Sequence, residues 1–220
     1  MSDTSIQSTG DGSPTLFSSK FNETYHSRHG ALAETRHVFI QEGILKKAMQ
    51  QEKLRVGEIG LGTGLNAWAC LLATISHNLT MEYTSIEAFP PDRETILDYF
   101  PTESEVELSW YKMISAAKSG APADLHPRFR FGWVEGLWPE INPFSDLDVL
   151  LYDAFSPSTQ PEMWNESALG TAWRALKPGG FLVTYCAKGE VKRTLKSLGF
   201  EIESPPGPWG KREMTRAIKL

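Results

Sequence analysis

Cysteine is scarce in this 220-residue chain: Cys70 and Cys186 lie far apart, each inside an apolar segment. That excludes a disulfide framework and a cysteine-based metal cluster. No window approaches the roughly 18 uninterrupted apolar residues of a membrane helix. The opening "MSDTSIQSTGDGSP" has neither a basic start nor an apolar stretch, so it is not a secretory signal and reads as a disordered polar leader over residues 1–14. A cytoplasmic protein with no membrane or metal partner is the expectation. Internal repeats are lacking, and so is an excess of positive charge: 22 Lys+Arg face 27 Asp+Glu, a net charge of −5. The deficit is uneven, however. Residues 170–220 hold ten basic against four acidic side chains, whereas residues 1–169 hold twelve against 23. A basic last third on an acidic body suits a polyanion-facing surface; it also suits chance clustering on solvated helix faces.

What is present is enough for one sizeable core, with 40% hydrophobic residues. Residues 15–52 read as an N-terminal arm and helix, the helix marked by Val38, Phe39, Leu45 and Met49 at roughly helical spacing. From residue 53 to 220 strands alternate with helices. "LRVGEIGLGTGLNAWACLLATI" is strand, glycine turn and apolar helix, and "MEYTSIEAFP" a second strand ending at Glu87. "PDRETILDYF" is a helix, and residues 101–128 are helical in part. "RFRFGWVEG" and "LDVLLYDAF" are further strands, then "NESALGTAWRAL" a helix stopped by "KPGG". "FLVTYCA" is a fifth strand and "GEVKRTLKSLG" a glycine-capped helix. "FEIES" and "EMTRAIKL" would close the sheet as an antiparallel pair. The alternation predicts a mostly parallel sheet covered on both faces.

The turn Glu58-Ile-Gly60-Leu-Gly62-Thr-Gly64 stands between an apolar strand and an apolar helix, the context that gives a glycine pattern meaning. Glycines allow a sharp turn and close backbone approach to a ligand, and the helix N-terminus offers free N–H groups. A dinucleotide fingerprint needs Gly or Ala at the sixth position from Gly60, and Leu65 stands there. E-x-G-x-G-x-G is instead the usual first motif of S-adenosylmethionine-dependent methyltransferases. Glu87, ending the second strand, can accept from both ribose hydroxyls, a criterion that fits either cofactor. Glu135, after the third strand, could bond an adenine amino group or cap a loop.

Asp153 ends the fourth strand. In open parallel sheets ligands bind beyond the carboxyl ends of the strands, so this carboxylate would lie near a transferred methyl group. An alkylammonium has a pKa near ~10.4 and a nearby carboxylate raises it. Orienting an amine and taking its proton are therefore better roles for Asp153 than attracting a cation. Phe155 and Trp164 could wall the site or pack in the core, while Pro157 and Pro161 stiffen the loop.

"SRHGALAETRHVF", "GEIGLGTGLN", "TSIEAFP", "LYDAFSPSTQPEMW", "LKPGGFLVTYCAKGEVKRTLKSLGF" and "GKREM" occur in this order. Together they resemble the methyltransferase part of the bifunctional tRNA 5-methylaminomethyl-2-thiouridine biosynthesis proteins, the MnmC family, over roughly Phe17 to Leu220. The resemblance implies a Rossmann-like α/β fold with a seven-stranded, mostly parallel sheet whose last strand is antiparallel, plus the N-terminal arm. It implies S-adenosyl-L-methionine as cofactor, and N-methylation of the aminomethyl group of 5-aminomethyl-(2-thio)uridine at the tRNA wobble position. Glu58, Gly60, Gly62, Gly64, Leu65, Asn66, Glu87 and Glu135 would then serve the cofactor, and Asp153 the reacting amine. Phe155, Pro157 and Trp164 would shape the pocket; Glu34, Thr35 and Arg36 would close it, and Lys211 and Arg212 would reach tRNA or support the site. Ala154 replaces the glycine, and Glu135 the aspartate, of the family pattern. Bifunctional members continue into a flavin-dependent oxidase domain, so a chain ending at Leu220 would depend on upstream enzymes for its aminomethyl substrate. The alternatives are an amine methyltransferase for a small molecule or protein, a non-catalytic subunit of a tRNA-modifying complex, and a nucleotide-dependent oxidoreductase.

Overall fold

The computed structural model describes residues 4–92, 95, 96, 98, 99, 101–208 and 210–220. The polar leader is not loose over its described part. Strand β1 (Thr4–Ser8) pairs antiparallel with β2 (Pro14–Ser18), which pairs with the short β3 (Glu23–Thr24). The expectation of disorder rested on polar composition, but backbone pairing and polar side chains hold this hairpin, and Leu16 of β2 is buried in the core. Its turn also caps the next helix. Thr9 Oγ1, Ser13 Oγ and Asp11 Oδ2 accept from the amides of Ala31, Leu32 and Ala33 at 3.2, 3.1 and 3.0 Å. Three of the four amides that a helix start leaves unbonded are thereby satisfied.

Helix α1 is one continuous run: Ala31–Glu34, a π-helical stretch Thr35–Leu45, and Lys46–Ala48. The wider i→i+5 turns shift its apolar face. Val38, Phe39, Ile40 and Ile44 are buried, while Met49, expected on that face, is 81% exposed. Gly43 brings the helix against the sheet; a Cβ there would lie 3.2 Å from Val183 Cγ1.

The main sheet has eight strands. Strand β4 (Lys53–Ile59) leads through the glycine turn into helix α2 (Leu65–Ser76), then β5 (Thr80–Glu87). The helix expected from "PDRETILDYF" includes positions 93, 94, 97 and 100, outside the described residues. Helix α3 (Glu105–Ala116) is followed by β6 (Ala123–His126), β7 (Phe129–Glu135) and β8 (Leu147–Tyr152). A 3₁₀ turn Pro161–Trp164 precedes α4 (Glu166–Ala175), β9 (Leu176–Thr184), α5 (Gly189–Ser197), β10 (Phe200–Glu203) and β11 (Thr215–Lys219). The order across the sheet is β10-β11-β9-β8-β4-β5-β7-β6. β9, β8, β4, β5 and β7 are mutually parallel, and β11 runs antiparallel to both its neighbours. Seven strands were expected; the eighth is β6, which folds back antiparallel on β7 in a region read as partly helical.

β8 is apolar but for Asp148, which accepts the Arg55 amide and pairs with Lys177. Val149 and Leu151 face the core beneath α1, α2 and α3, while Leu150 and Tyr152 face the core beneath α4 and α5. Such a two-sided strand has no solvent face to make polar. Chain order reverses at β4, whose neighbours are β5 and β8. Beyond the carboxyl ends of these three strands the connections diverge and leave a cleft.

Candidate active site

The cleft holds about 260 Å³. Its floor is Gly60, Leu61 and Gly62, directly after β4. Gly60 has φ 89°, and a Cβ there would fall 2.6 Å from the Asp153 carbonyl oxygen. Only glycine allows that approach. The bonds Gly60 N–H to Ile86 O (2.9 Å) and Asp153 N–H to Ile59 O (3.0 Å) tie the ends of β4, β5 and β8 together. Glu87 is fixed at the end of β5: its Oε2 accepts the Gly62 amide at 2.8 Å and its Oε1 the Phe89 amide at 2.7 Å. Burial raises its pKa, and these amides oppose the rise.

Asn66, in the first turn of α2, joins the site's carboxylates. Its Nδ2 donates to Asp153 Oδ2 at 2.8 Å and to Glu58 Oε1 at 3.0 Å, and its Oδ1 accepts from Thr35 Oγ1 at 2.9 Å. Glu58 is wholly buried below the cleft, and its Oε2 has no hydrogen-bond partner among the described residues. Burial pushes its pKa up to about 7. Asp153 is raised well above the carboxylate range, first by burial and then by Glu34 and Glu58, against the opposing pull of Asn66 and Lys211.

The roof comes from the two ends of the chain. Glu34, in α1, accepts the Ser27 amide on Oε2 at 2.9 Å and Lys211 Nζ on Oε1 at 2.8 Å. Lys211 also stands 4.5 Å from the centre of the Tyr185 ring, whose hydroxyl donates to the Ala154 carbonyl at 2.9 Å. The arm adds Phe21, Glu23, Tyr25 and His26. Phe155 packs between Phe21 (4.7 Å) and Tyr25 (5.2 Å). His26 bonds Thr15 Oγ1 at 3.0 Å, and burial lowers its pKa to about 4, so it is neutral at pH 7.

Gly60, Gly62, Asn66, Glu87, Glu34, Asp153, Phe155 and Lys211 therefore come together around one cleft. Others expected there do not line it. Gly64 caps α2 in the left-handed region, with φ 78°, and Leu65 is buried behind it. Glu58 lies underneath. Trp164 is buried against Tyr152 and donates to the Phe155 carbonyl at 2.8 Å, so it shapes the loop from behind. Pro157 is half-buried beside that loop, and Glu135, Arg36 and Arg212 are exposed outside the cleft. The sequence reading missed Phe21, Glu23, Tyr25 and His26. Their one signal was the mixture of aromatic and polar residues in "LFSSKFNETYHSRHG".

The cleft is acidic: Glu23, Glu34, Glu87, Asp153 and Glu162 line it against Lys211. That balance suits a cationic ligand and opposes the pyrophosphate of a dinucleotide. A glycine-rich floor and a strand-end carboxylate suit a nucleoside. The residues thus fit S-adenosyl-L-methionine, a sulfonium cation attached to adenosine. Among the described residues no group of three or more His, Cys, Asp or Glu could hold a metal ion, and no helix is long and apolar enough to cross a membrane.

Comparison with known proteins gives the following. The profile of a family described as S-adenosyl-L-methionine-dependent methyltransferase matches residues 109–220. The tRNA 5-methylaminomethyl-2-thiouridine biosynthesis bifunctional protein MnmC of Marinomonas sp. (strain MWYL1) is 29% identical, over 93% of this chain and 32% of the relative. The protein of the same name from Methylobacillus flagellatus is 31% identical, over 93% of this chain and 33% of its own length. This chain thus spans about a third of these curated relatives. The crystal structure of MNMC2 from Aquifex aeolicus superposes with a TM-score of 0.81 at 25% identity, covering 100% of this chain and 71% of that one.

Proposed function

The chain belongs to the S-adenosyl-L-methionine-dependent methyltransferases, and on that premise we propose that it N-methylates the aminomethyl group of 5-aminomethyl-(2-thio)uridine at the wobble position of tRNA. The name these relatives carry supports the nucleoside and the RNA. One observation carries the chemistry: Asp153 lines an acidic cleft beside the glycine floor, held by Asn66 and shielded by the Glu34–Lys211 pair. The cofactor supplies an electrophilic methyl group on sulfonium sulfur. Gly60 and Gly62 would form its floor, and Glu87 would take hydrogen bonds from its ribose. Phe155, fixed by Phe21 and Tyr25, forms the wall along which the base enters.

An amine reacts only through a free lone pair, yet it arrives largely as ammonium near neutral pH. Asp153 accepts an N–H bond from it, turns the lone pair toward the methyl group and takes the proton. Burial and neighbouring carboxylates raise the pKa of Asp153, bringing it closer to that of the amine and easing the transfer. Asn66 fixes the Oδ2 side of the carboxylate, leaving Oδ1 for the substrate.

The test is nucleoside mass spectrometry of tRNA that carries 5-aminomethyl groups, incubated with the protein and cofactor. A gain of one methyl on that nucleoside is expected. Methylation of free amines or proteins with tRNA untouched would replace this reading with that of a small-molecule or protein amine methyltransferase.

A further inference from the structure

Three arginines stand outside the cleft, one from the basic last third of the sequence and two from the N-terminal part. Arg28 follows the cleft-lining Ser27 in the turn before α1; Arg36 lies two residues past Glu34 on α1; Arg212 follows Lys211 in the loop between β10 and β11. All three are exposed, and none has an ion-pair partner among the described residues. The segments that carry them are joined. Glu34 bonds both the Ser27 amide and Lys211, and His37 Nε2 lies 2.8 Å from the Pro206 carbonyl. A shallow groove between them is lined by Ser27, His29, Gly30, Ala33, Pro208 and Glu34, whose carboxylate is taken up by Lys211. The loop is itself fixed by Gly207 N–H to Arg212 O (3.4 Å), Lys211 N–H to Pro208 O (2.9 Å) and the pairing of Pro206 with Glu213.

Charge is therefore sorted by position. The interior of the cleft is acidic and the arm–loop seam is basic. Across the mouth, Glu135 at the end of β7 and Glu140 in the loop after it are exposed. A substrate with an anionic backbone and a cationic tip matches this arrangement in one orientation. Its phosphates stay on the seam, where arginine forks bind them, while only the base and its ammonium enter.

We propose that the seam between the N-terminal arm and the β10–β11 loop is the docking surface for the RNA sugar–phosphate backbone, with Arg28, Arg36 and Arg212 as its phosphate contacts. This rests on the RNA reading above and adds the side from which the strand approaches.

The experiment measures binding of aminomethyl-containing tRNA by fluorescence anisotropy across a salt series, and methyl transfer to the same tRNA, for Arg28→Glu, Arg36→Glu, Arg212→Glu and Lys53→Glu. Lys53 is exposed at the start of β4, at the opposite end of the sheet. Each seam variant is expected to weaken tRNA binding roughly tenfold and to lower the salt slope by about one. Turnover at saturating tRNA and calorimetric cofactor affinity should stay near wild type. Lys53→Glu should bind tRNA as wild type does. Seam variants with wild-type affinity and slope would overturn the surface, as would an equal loss in Lys53→Glu. Tight binding that the seam variants weaken, without methylation by the wild type, would support the surface and sink the proposed reaction. Methylation with unaffected seam variants would do the reverse.

Discussion

Asp153 and Glu58 share one amide, that of Asn66, yet they hold different positions toward the cleft. Asp153 lines it, and its carboxylate is useful only when ionised. Because its pKa is raised, kcat/KM is expected to fall with decreasing pH well above the ordinary carboxylate range. Asp153→Asn keeps the shape and a partner for Asn66 but removes the base. It should lower kcat by about 100-fold or more, abolish that acidic limb and leave cofactor affinity near wild type. Wild-type turnover by this variant would end the proposed role. Glu58 lies beneath and costs stability when charged. Its folded pKa of about 7 exceeds the usual 4.5, so the folded state binds its proton more tightly than the unfolded state does. The stability this gives is complete below about pH 4.5 and lost as pH rises through about 7. Glu58→Gln should therefore match wild type in urea unfolding at pH 4.5, and exceed it by on the order of 3 kcal/mol at pH 8.

At the scale of elements, the hairpin turn and α1 form one unit. Asp11 accepts from Thr9 Oγ1 (2.8 Å), from the Ser13 amide (3.0 Å) and from the first turn of α1 through Ala33. Asp11→Ala should cost about 1–2 kcal/mol in thermal unfolding and raise KM for the nucleic acid, since α1 presents Glu34 to the cleft. A drop in Tm with unchanged KM would separate the cap from the site. Here the limits of the sequence are visible. β8 was legible because burial on both faces favours an apolar run, here Val149 to Tyr152. The β1–β2 hairpin was not, because Thr9, Asp11 and Ser13 act through bonds to a helix about 20 positions away. Met49 was misread because helical spacing assumes 3.6 residues per turn, which the π stretch of α1 does not keep.

At the scale of the molecule, topology made the glycine floor, Glu87 and Asp153 legible, because each ends a strand that the alternation of elements predicts. Tyr25 and Glu23 reach the same cleft from an arm whose local pattern carries no address, and Trp164 reaches only its rear wall. The floor of the cleft is thus written in local sequence, whereas its roof depends on how distant segments meet. The Glu34–Lys211 contact makes that difference one of time. It joins positions 177 residues apart, so closing it costs more chain entropy than the pairings between successive strands and helices. Gly60, Glu87 and Asp153 need only the central strands to be in register. A folding chain would therefore complete the floor of the cleft before the roof that decides what enters it.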